Sequence, residues 1–332
     1  MAELRRDPIT GRWVIIEIDK AKNPTDYEAE KRVKREGICP FCPGNEKMTP
    51  PEIFAYRDGD TKPNAPGWQT RVIPNKFPAL RVEGNLDRIG VGMFDMMNGI
   101  GAHEVIIENP DHNRELCDLM DQEVEQVLWS YRNRCLDLKG DKRFKYILIF
   151  KNYGVSAGAS LEHPHSQLIA LPIIPKRVVE ELRWAERYFE YRDRCVFCDM
   201  IHQEIDERER VIAENKSFIA FAPFVSRFPF EFTIFPKIHS AEFSYIQKEE
   251  VVDLARILKE TLLRMKLALK DPSYNFIVHT SPIDAKERAD YHWHIEVMPR
   301  MGRSAGFEWG TGFYLNPTPP EIAAWALREV SL

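Results

Sequence analysis

The segment HPHSQLIALP, residues 163–172, decides the fold, because polar residues alternate along it and an apolar run follows them. Two histidines two residues apart face the same way only in an extended chain, where successive side chains point to opposite faces. The pattern predicts a strand that carries His163, His165 and Gln167 on one face. Pro164 cannot donate a ladder hydrogen bond, so this segment begins a strand or lies at a sheet edge. A plain polar sheet face is the alternative interpretation.

The order of elements around this segment occurs twice in the chain. HWHIEVMP, residues 292–299, is a second H-x-H strand. Each copy is preceded by a C-x-F-C pair, an N-K turn, a strand, a histidine, a long helix and a further strand, and an ordered match of this kind indicates duplication. We therefore predict an α+β fold in which two similar units, residues 1–174 and 175–332, form one pseudo-symmetric body with a mostly antiparallel sheet packed against long helices.

Amphipathic patterns predict the helices. Apolar residues recur every three or four positions in residues 113–138 and again in residues 249–269, as on the buried face of a helix. A third helix is predicted from about Pro175 to Arg194, with proline at its start. Cys117 and Cys135 fall in the first predicted helix and are expected to be inert core residues.

Composition excludes several classes of partner. The chain has 332 residues, of which 44% are hydrophobic and 29% charged, with a formal net charge of −5. This acidic balance gives no electrostatic attraction to nucleic acid or to an anionic membrane. The start of the chain lacks the apolar core of a signal peptide, and no apolar run approaches membrane-spanning length. We expect a cytoplasmic protein without nucleic-acid or membrane partners.

Four of the six cysteines form two C-x-F-C pairs. In a reducing compartment such pairs more often bind metal or perform redox chemistry than form disulfides. Matching the two halves by position adds two histidines to each pair, and each set then has the Cys₂His₂ composition of a closed structural zinc site. The predicted ligands are Cys39, Cys42, His103 and His163 in the first half and Cys195, Cys198, His239 and His292 in the second. Zinc is expected at both sites, with iron left open at the second; the alternative is unrelated buried cysteines and surface histidines.

A family resemblance rests on several of these segments. The H-x-H-x-Q strand, preceded by FKNYGVSAGAS at residues 150–160, resembles the active-site segment of the galactose-1-phosphate uridylyltransferase family, the transferase branch of the histidine-triad superfamily. The resemblance covers nearly the whole chain, from DPITGRWVII (7–16) through NKFPAL (75–80) and GAHEVI (101–106) to GFEWGTGFYLNPTPPEIA (306–323). The double Cys₂His₂ arrangement and the C-terminal run are also similar to the plant-type ADP-glucose phosphorylase of the same family.

The resemblance implies a duplicated histidine-triad-like fold, a homodimer, and substrates that are a nucleoside diphosphate sugar and a hexose 1-phosphate. It implies His165 as the nucleophile and Gln167 and Ser160 as phosphate-binding groups. Further substrate-binding residues would be Asn75, Asn152, Gly158, Lys20 and Phe307, although Asn75 and Asn152 also suit plain turns. The chain departs from the pattern where many uridylyltransferases carry an arginine pair, here Lys20 and Asn23, and where they carry a lysine, here Gly306. Recognition of the base and the sugar therefore stays open.

The residue types allow this chemistry on their own terms. A neutral imidazole is nucleophilic near neutral pH, and a covalent nucleotidyl-histidine would divide one displacement into two steps with ping-pong kinetics. The leading hypothesis is UDP-glucose–hexose-1-phosphate uridylyltransferase, and ADP-glucose phosphorylase is the alternative. By the resemblance, Gln167 matches the transferases and not the histidine-triad hydrolases, which argues against a hydrolase. The acidic charge argues against a zinc-stapled nucleic-acid-binding or scaffold protein. The second H-x-H copy has Glu296 in place of glutamine, so we expect it to be structural.

Overall fold

The computed structural model describes residues 1–30, 37–283 and 287–332. Its strands are β1 (Glu3–Arg6), β2 (Trp13–Ile16), β3 (Phe54–Arg57), β4 (Trp68–Pro74), β5 (Ile89–Val91), β6 (Phe94–Met96), β7 (Ala102–Ile107), β8 (Tyr146–Tyr153), β9 (His165–Leu171), β10 (Val211–Glu214), β11 (Phe218–Phe221), β12 (Phe232–Pro236), β13 (Tyr274–His279), β14 (His294–Pro299) and β15 (Tyr314–Asn316). Its α-helices are α1 (Asp121–Leu138), α2 (Lys176–Arg192), α3 (Val196–Glu207), α4 (Lys248–Ala268), α5 (Gly306–Thr311) and α6 (Pro320–Arg328).

A ten-stranded antiparallel sheet carries the duplication. Its strand order is β10-β11-β12-β14-β13-β8-β9-β7-β4-β3. Each half of the chain contributes five strands, arranged in the same order outward from the centre of the sheet. In the first half this order is β8, β9, β7, β4, β3, and in the second it is β13, β14, β12, β11, β10. The two halves join where β8 pairs with β13, which brings Asn152 opposite Asn275. The predicted α+β class and the duplication of the unit are confirmed.

Strand β9 follows from the alternation of its sequence. It begins at His165, directly after Pro164, and lies between β7 and β8. Leu168 and Ala170 are fully buried in the main core, while Gln167 and Ile169 on the opposite face are half-buried. Since strand side chains alternate, His165 and Gln167 share the face away from that core.

Helices α1 and α4 cover one face of the sheet and pack against each other. Helix α1 begins later than the apolar pattern predicts, at Asp121, because Met120 is extended and its N–H donates to the Glu123 carboxylate at 2.6 Å. The prediction for Cys117 was thus wrong in its element, since this buried cysteine lies in a 3₁₀ turn, Leu116–Asp118. Cys135 is buried in α1. The predicted third helix corresponds to α2.

The two chain ends meet on a small separate sheet. Strands β1 and β2 form a hairpin, and β15 from the C-terminal region adds to β2 in parallel. Two strand pairings therefore join the halves of the chain: β15 with β2 in this small sheet, and β8 with β13 in the large one. Among the described residues, no helix has both the length and the apolar character that a membrane span requires.

Candidate active site and metal centres

His165 lies at the wall of a cavity of about 160 Å³. Its side chain is 6% exposed, and its Nδ1 lies 2.8 Å from the carbonyl oxygen of His163. Since a carbonyl oxygen only accepts, Nδ1 carries the proton and Nε2 keeps its lone pair. Burial lowers the pKa of His165 to about 4, a shift that the nearby Lys151 charge reinforces. The imidazole is therefore neutral at physiological pH and oriented as a nucleophile requires.

The loop that follows β8 forms another wall of this cavity. Gly154 has a φ of +81°, and a Cβ on it would lie 1.9 Å from the Ser273 Oγ, so only glycine fits there. Asn152 and Ala159 line the cavity. Asn275 of the second half donates to both the Asn152 side chain (2.7 Å) and the Ala157 carbonyl (2.9 Å). The loop is thus fixed from across the junction between the halves. Gly158 (φ +85°) and Ser160 lie exposed on the same loop.

Gln167 belongs to a second polar group, with His103 and Asn75. His103 Nδ1 accepts the Ala79 N–H at 3.1 Å, so its proton is on Nε2, which donates to Gln167 Oε1 at 2.9 Å. The Asn75 amino group lies 3.1 Å from the same ring nitrogen as a neighbour, because two donors cannot bond to each other. His103 therefore holds the carboxamide oxygen of Gln167, and the amino half of that carboxamide is the part that can donate to a ligand. Asn75 and Gln167, both predicted site residues, are brought together in this way.

The prediction that His103 is a ligand of the first metal site is corrected by this geometry. His103 pairs with Ile169 in the β7–β9 ladder, whereas His163 lies beyond the other end of that ladder, where Ile107 pairs with His165. Six residues of extended chain, about 20 Å, therefore separate the level of His103 from that of His163. His112, in the turn after β7, lies with Cys39, Cys42 and His163 instead.

The first Cys/His group has the dimensions of a tetrahedral metal site. Cys42 Sγ lies 3.4 Å from His112 Nδ1 and 3.6 Å from His163 Nδ1. Zinc bonds of about 2.3 Å to sulfur and about 2.0 Å to nitrogen, at a tetrahedral angle, would separate these atoms by about 3.5 Å. His163 Nε2 donates to the Asn109 carbonyl at 2.9 Å, which fixes the ring as in metal-bound histidines. These residues fit the metal expected from the sequence.

The second group contains all four residues predicted for it. Cys198 Sγ lies 3.3 Å from His239 Nδ1 and 3.5 Å from His292 Nδ1. The Nε2–H of each histidine donates to a backbone carbonyl: His239 to that of Arg288, and His292 to that of Pro236. A hydrogen bond from Cys198 lowers the pKa of Cys195 to about 3 and raises that of Cys198, since two adjacent sulfurs resist a second negative charge. A bound dication would stabilise both thiolates.

A buried ion cluster, which the sequence analysis did not predict, contributes Lys151 and Glu115 to the cavity lining. Lys151 is 1% exposed, and its Nζ lies 2.5 Å from Glu108 Oε2 and 3.1 Å from Glu115 Oε2. Burial opposes the charge, but the two carboxylates raise the pKa of Lys151 above its usual value. Glu108 also accepts from Ser166, whose hydroxyl pairs with Tyr131. A lysine in the apolar strand YILIFKNY was the one sequence signal for this cluster.

Of the predicted catalytic and substrate-binding residues, His165 and Asn152 line the cavity; those outside its lining are Gln167, Ser160, Asn75, Gly158, Lys20 and Phe307. Lys20 is exposed in the segment after β2. Phe307 is 46% exposed in α5, with its ring edge toward Phe313. Neither is among the described residues that line the cavity around His165. Their roles stay predictions, as does the dimer on which the role of Phe307 depends.

The second H-x-H strand keeps the backbone geometry of the first but not its chemistry. His294 Nδ1 donates to the His292 carbonyl at 3.1 Å, as His165 does to His163. Glu296 occupies the position of Gln167 and is paired with Arg227, and His279 stacks on His294 with ring centroids 4.4 Å apart. In the second copy an ion-paired glutamate thus stands where the first has Gln167, and His294 is stacked against His279.

A duplicated unit in which one strand carries a neutral, oriented histidine beside a glycine loop is the arrangement expected of a nucleotidyltransferase. Two family descriptions match the chain: "Galactose-1-phosphate uridyl transferase, N-terminal domain" over residues 1–175 and "Domain of unknown function (DUF4921)" over residues 119–330. ADP-glucose phosphorylase of Arabidopsis thaliana is 39% identical over 99% of this chain and 93% of its own length. Galactose-1-phosphate uridylyltransferase of Thermotoga maritima is 29% identical over 100% and 99%.

A solved structure extends this likeness to three dimensions. The crystal structure of an Arabidopsis thaliana ADP-glucose phosphorylase with bound ADP-glucose superposes with a TM-score of 0.84, at 37% identity, over 100% of this chain and 99% of that one. The chain belongs to the galactose-1-phosphate uridyl transferase family and is a nucleotidyltransferase.

Proposed function

We propose that this protein transfers a nucleotidyl group through a covalent intermediate on His165. The observation that carries the proposal is the hydrogen bond from His165 Nδ1 to the His163 carbonyl, because it leaves the Nε2 lone pair for attack in the cavity. In the second copy the equivalent hydrogen bond is present, but Glu296, paired with Arg227, stands in place of Gln167, and His279 stacks on the histidine. Only the first copy combines an oriented imidazole with a glycine loop.

The chemistry takes place in two balanced displacements. The Nε2 lone pair of His165 attacks the α-phosphorus of a nucleoside diphosphate sugar, and a P–N bond forms. The P–O bond to the β-phosphate breaks, so that the sugar 1-phosphate leaves with the bonding electrons. A phosphate oxygen of the acceptor then attacks the same phosphorus, the P–N bond breaks, and the neutral imidazole is restored. The Nδ1 proton stays on the ring throughout.

Neutral donors are proposed to stabilise the transition state, in which charge spreads over the non-bridging oxygens. The Gln167 amino group is one such donor, because His103 holds the oxygen half of its carboxamide. Asn152 and the backbone around Gly158 and Ser160 are others, on a loop that Asn275 fixes. We assign His103 the part of a positioning residue, which acts through Gln167.

Both Cys/His groups are proposed to hold structural zinc. Four protein ligands leave no open position, so the metal would not contact substrate. In the first group the metal would tie the Cys39–Cys42 turn and the His112 turn to His163, two residues before the nucleophile. Its contribution to catalysis would be the position of His165.

The proposed donor is UDP-glucose and the proposed acceptor a hexose 1-phosphate, by analogy with relatives named galactose-1-phosphate uridylyltransferase from bacteria and fungi. A second candidate is phosphorolysis of ADP-glucose. It is favoured by the 39% identity to the Arabidopsis thaliana ADP-glucose phosphorylase, against 29% for the Thermotoga maritima uridylyltransferase. The two candidates share the His165 intermediate and differ in the base and the acceptor.

Intact-mass measurement tests the proposal. The metal-loaded protein is incubated briefly with UDP-glucose or with ADP-glucose, without acceptor. A mass gain equal to one UMP or one AMP group supports the intermediate, and the donor that gives it identifies the base. His165→Ala should abolish the gain, whereas His294→Ala, the matched change in the second copy, should keep it. No gain and no released sugar 1-phosphate with either donor would refute the proposal.

A further inference from the structure

Glu30 occupies a cradle of hydrogen-bond donors in the cavity that contains His165. Its carboxylate accepts from the Ser156 hydroxyl at 2.7 Å, from the Ser156 backbone N–H at 3.3 Å, and from the Ser273 hydroxyl. Glu30 and Ser273 both line the cavity around His165. Ser273 is 2% exposed, so its hydroxyl points into this cradle from the protein interior.

The cradle suits an anion with several oxygens. All three groups aimed at Glu30 donate, and a carboxylate and a phosphate both present only acceptors to them. Burial by itself would raise the pKa of Glu30, yet the hydrogen bonds from Ser273 and Ser156 hold it below its usual value. Among the described residues, the groups that stabilise the negative charge of Glu30 are thus neutral hydrogen-bond donors. Gly154, which has no room for a Cβ against Ser273, keeps the loop close to it.

A charge conflict follows from the reaction. A nucleoside diphosphate sugar brings two negative phosphates into the cavity where the Glu30 carboxylate already lies, and like charges repel strongly in a partly desolvated site. Either this repulsion weakens substrate binding, or the Glu30 carboxylate moves out of its hydrogen bonds. If it moves out, Ser156 and Ser273 become available to donate to the incoming phosphate.

We propose that Ser156 and Ser273 form the subsite for the phosphate that leaves with the sugar and that enters with the acceptor, and that the Glu30 carboxylate occupies this subsite until a phosphate displaces it. The proposal rests on the proposed function. Its ligand is a phosphate oxygen cluster, which inorganic phosphate and a hexose 1-phosphate both provide. Glu30 would then set the acceptor concentration at which the enzyme works, because a site that is free only part of the time binds proportionally less tightly.

The test follows discharge of the nucleotidylated protein by an added acceptor. Protein is first loaded with donor, and the loss of adduct mass is then timed against inorganic phosphate or galactose 1-phosphate. Glu30→Gln should lower the half-saturating acceptor concentration by about tenfold, the effect expected if Glu30 fills the subsite in about nine molecules of ten. The rate at saturating acceptor should not change. Glu28→Gln, an exposed neighbour with the same change of charge, should match the wild type.

A double variant separates displacement from simple charge repulsion. In Glu30→Gln/Ser156→Ala the gain should disappear, because a donor of the subsite is lost. Glu30→Asp keeps the charge but shortens the reach, so it should show part of the gain in a protein of unchanged net charge. A gain with both acceptors assigns the subsite to the shared phosphate, and a gain with only one assigns it to that source. An unchanged half-saturation for both acceptors in Glu30→Gln would overturn the inference, whereas failure of the wild type to load would instead refute the proposed function.

Discussion

Replacement of His112 separates the metal site seen in the structure from the one that the repeat pattern predicts. In His112→Ala the first group keeps Cys39, Cys42 and His163 but loses its fourth ligand. We expect the metal content to fall from two ions per chain toward one. His103→Ala is the matched control: both ring nitrogens of His103 contact protein groups, so this variant should keep two ions.

The size of the effect on stability can be worked out from the loops that the metal closes. Cys42 meets His112 across 70 residues and His163 across 121. A cross-link that closes a loop of this length contributes about 4 kcal/mol to the free energy of unfolding through the entropy of the unfolded chain. His112→Ala should therefore lose up to about 4 kcal/mol in urea titrations, and a chelator should have little further effect on its first site. His103→Ala should lose activity without this loss of stability, because Gln167 is no longer held.

Metal per chain is measured by elemental analysis of the dialysed proteins, and stability by urea unfolding of the same samples. Loss of one ion in His103→Ala, with two ions retained in His112→Ala, would refute the assignment of His112. Two ions in both variants would show that three ligands are sufficient to retain the metal. In that case His112→Ala should still have a lower free energy of unfolding in urea, because the His112 turn is no longer cross-linked.

Further predictions concern buried charges and the second copy. Glu104→Gln should cost roughly 3 kcal/mol in urea unfolding, because Arg134 loses its buried partner with two 2.7 Å contacts; Asp137→Asn, at an exposed partner of the same arginine, should cost under about 1 kcal/mol. Burial opposes the charge of His279, but Glu181 and Glu296 raise its pKa to about 10. Its stabilisation is complete below the unfolded pKa of about 6.5 and is lost as the pH rises toward 10. Between pH 6.5 and 9 the wild type should therefore lose up to about 3 kcal/mol more than His279→Gln; equal slopes of stability against pH would contradict this.

The fold was predictable because its information is local and is repeated. Alternation in HPHSQLIALP gives the strand and the face of His165, and Pro164 gives the start of the strand. The order of motifs gives the duplication, which the symmetric strand order confirms. The start of α1 was predicted too early, since Leu116, in a 3₁₀ turn, and Leu119, just after it, are buried without being α-helical. The spacing of apolar residues shows which side chains are buried. A 3₁₀ turn before an α-helix can bury residues at the same spacing, so the spacing does not fix where the α-helix begins.

His103 was wrongly predicted as a metal ligand because the order of motifs does not show where a histidine lies relative to the end of its strand. In the second half His239 follows the end of β12 by three residues, and in the first half His112 follows the end of β7 by five. Both turns lie beside the start of an H-x-H strand, because the paired strands are antiparallel. Alignment by element ends would have selected His112 in ENPDHN. The contacts of Glu30 with Ser156 and Ser273 could not be anticipated, since 126 and 243 residues separate the partners.

The central claim is that His165 itself carries the nucleotidyl group. The most direct measurement is proteolysis of the donor-loaded protein under alkaline conditions, which preserve a P–N bond, followed by mass mapping of the modified peptide. We predict one modified peptide, containing residues 163–171, with the nucleotide on His165. A nucleotide on any other residue, or sugar 1-phosphate released steadily with no modified peptide at any time, would contradict the claim.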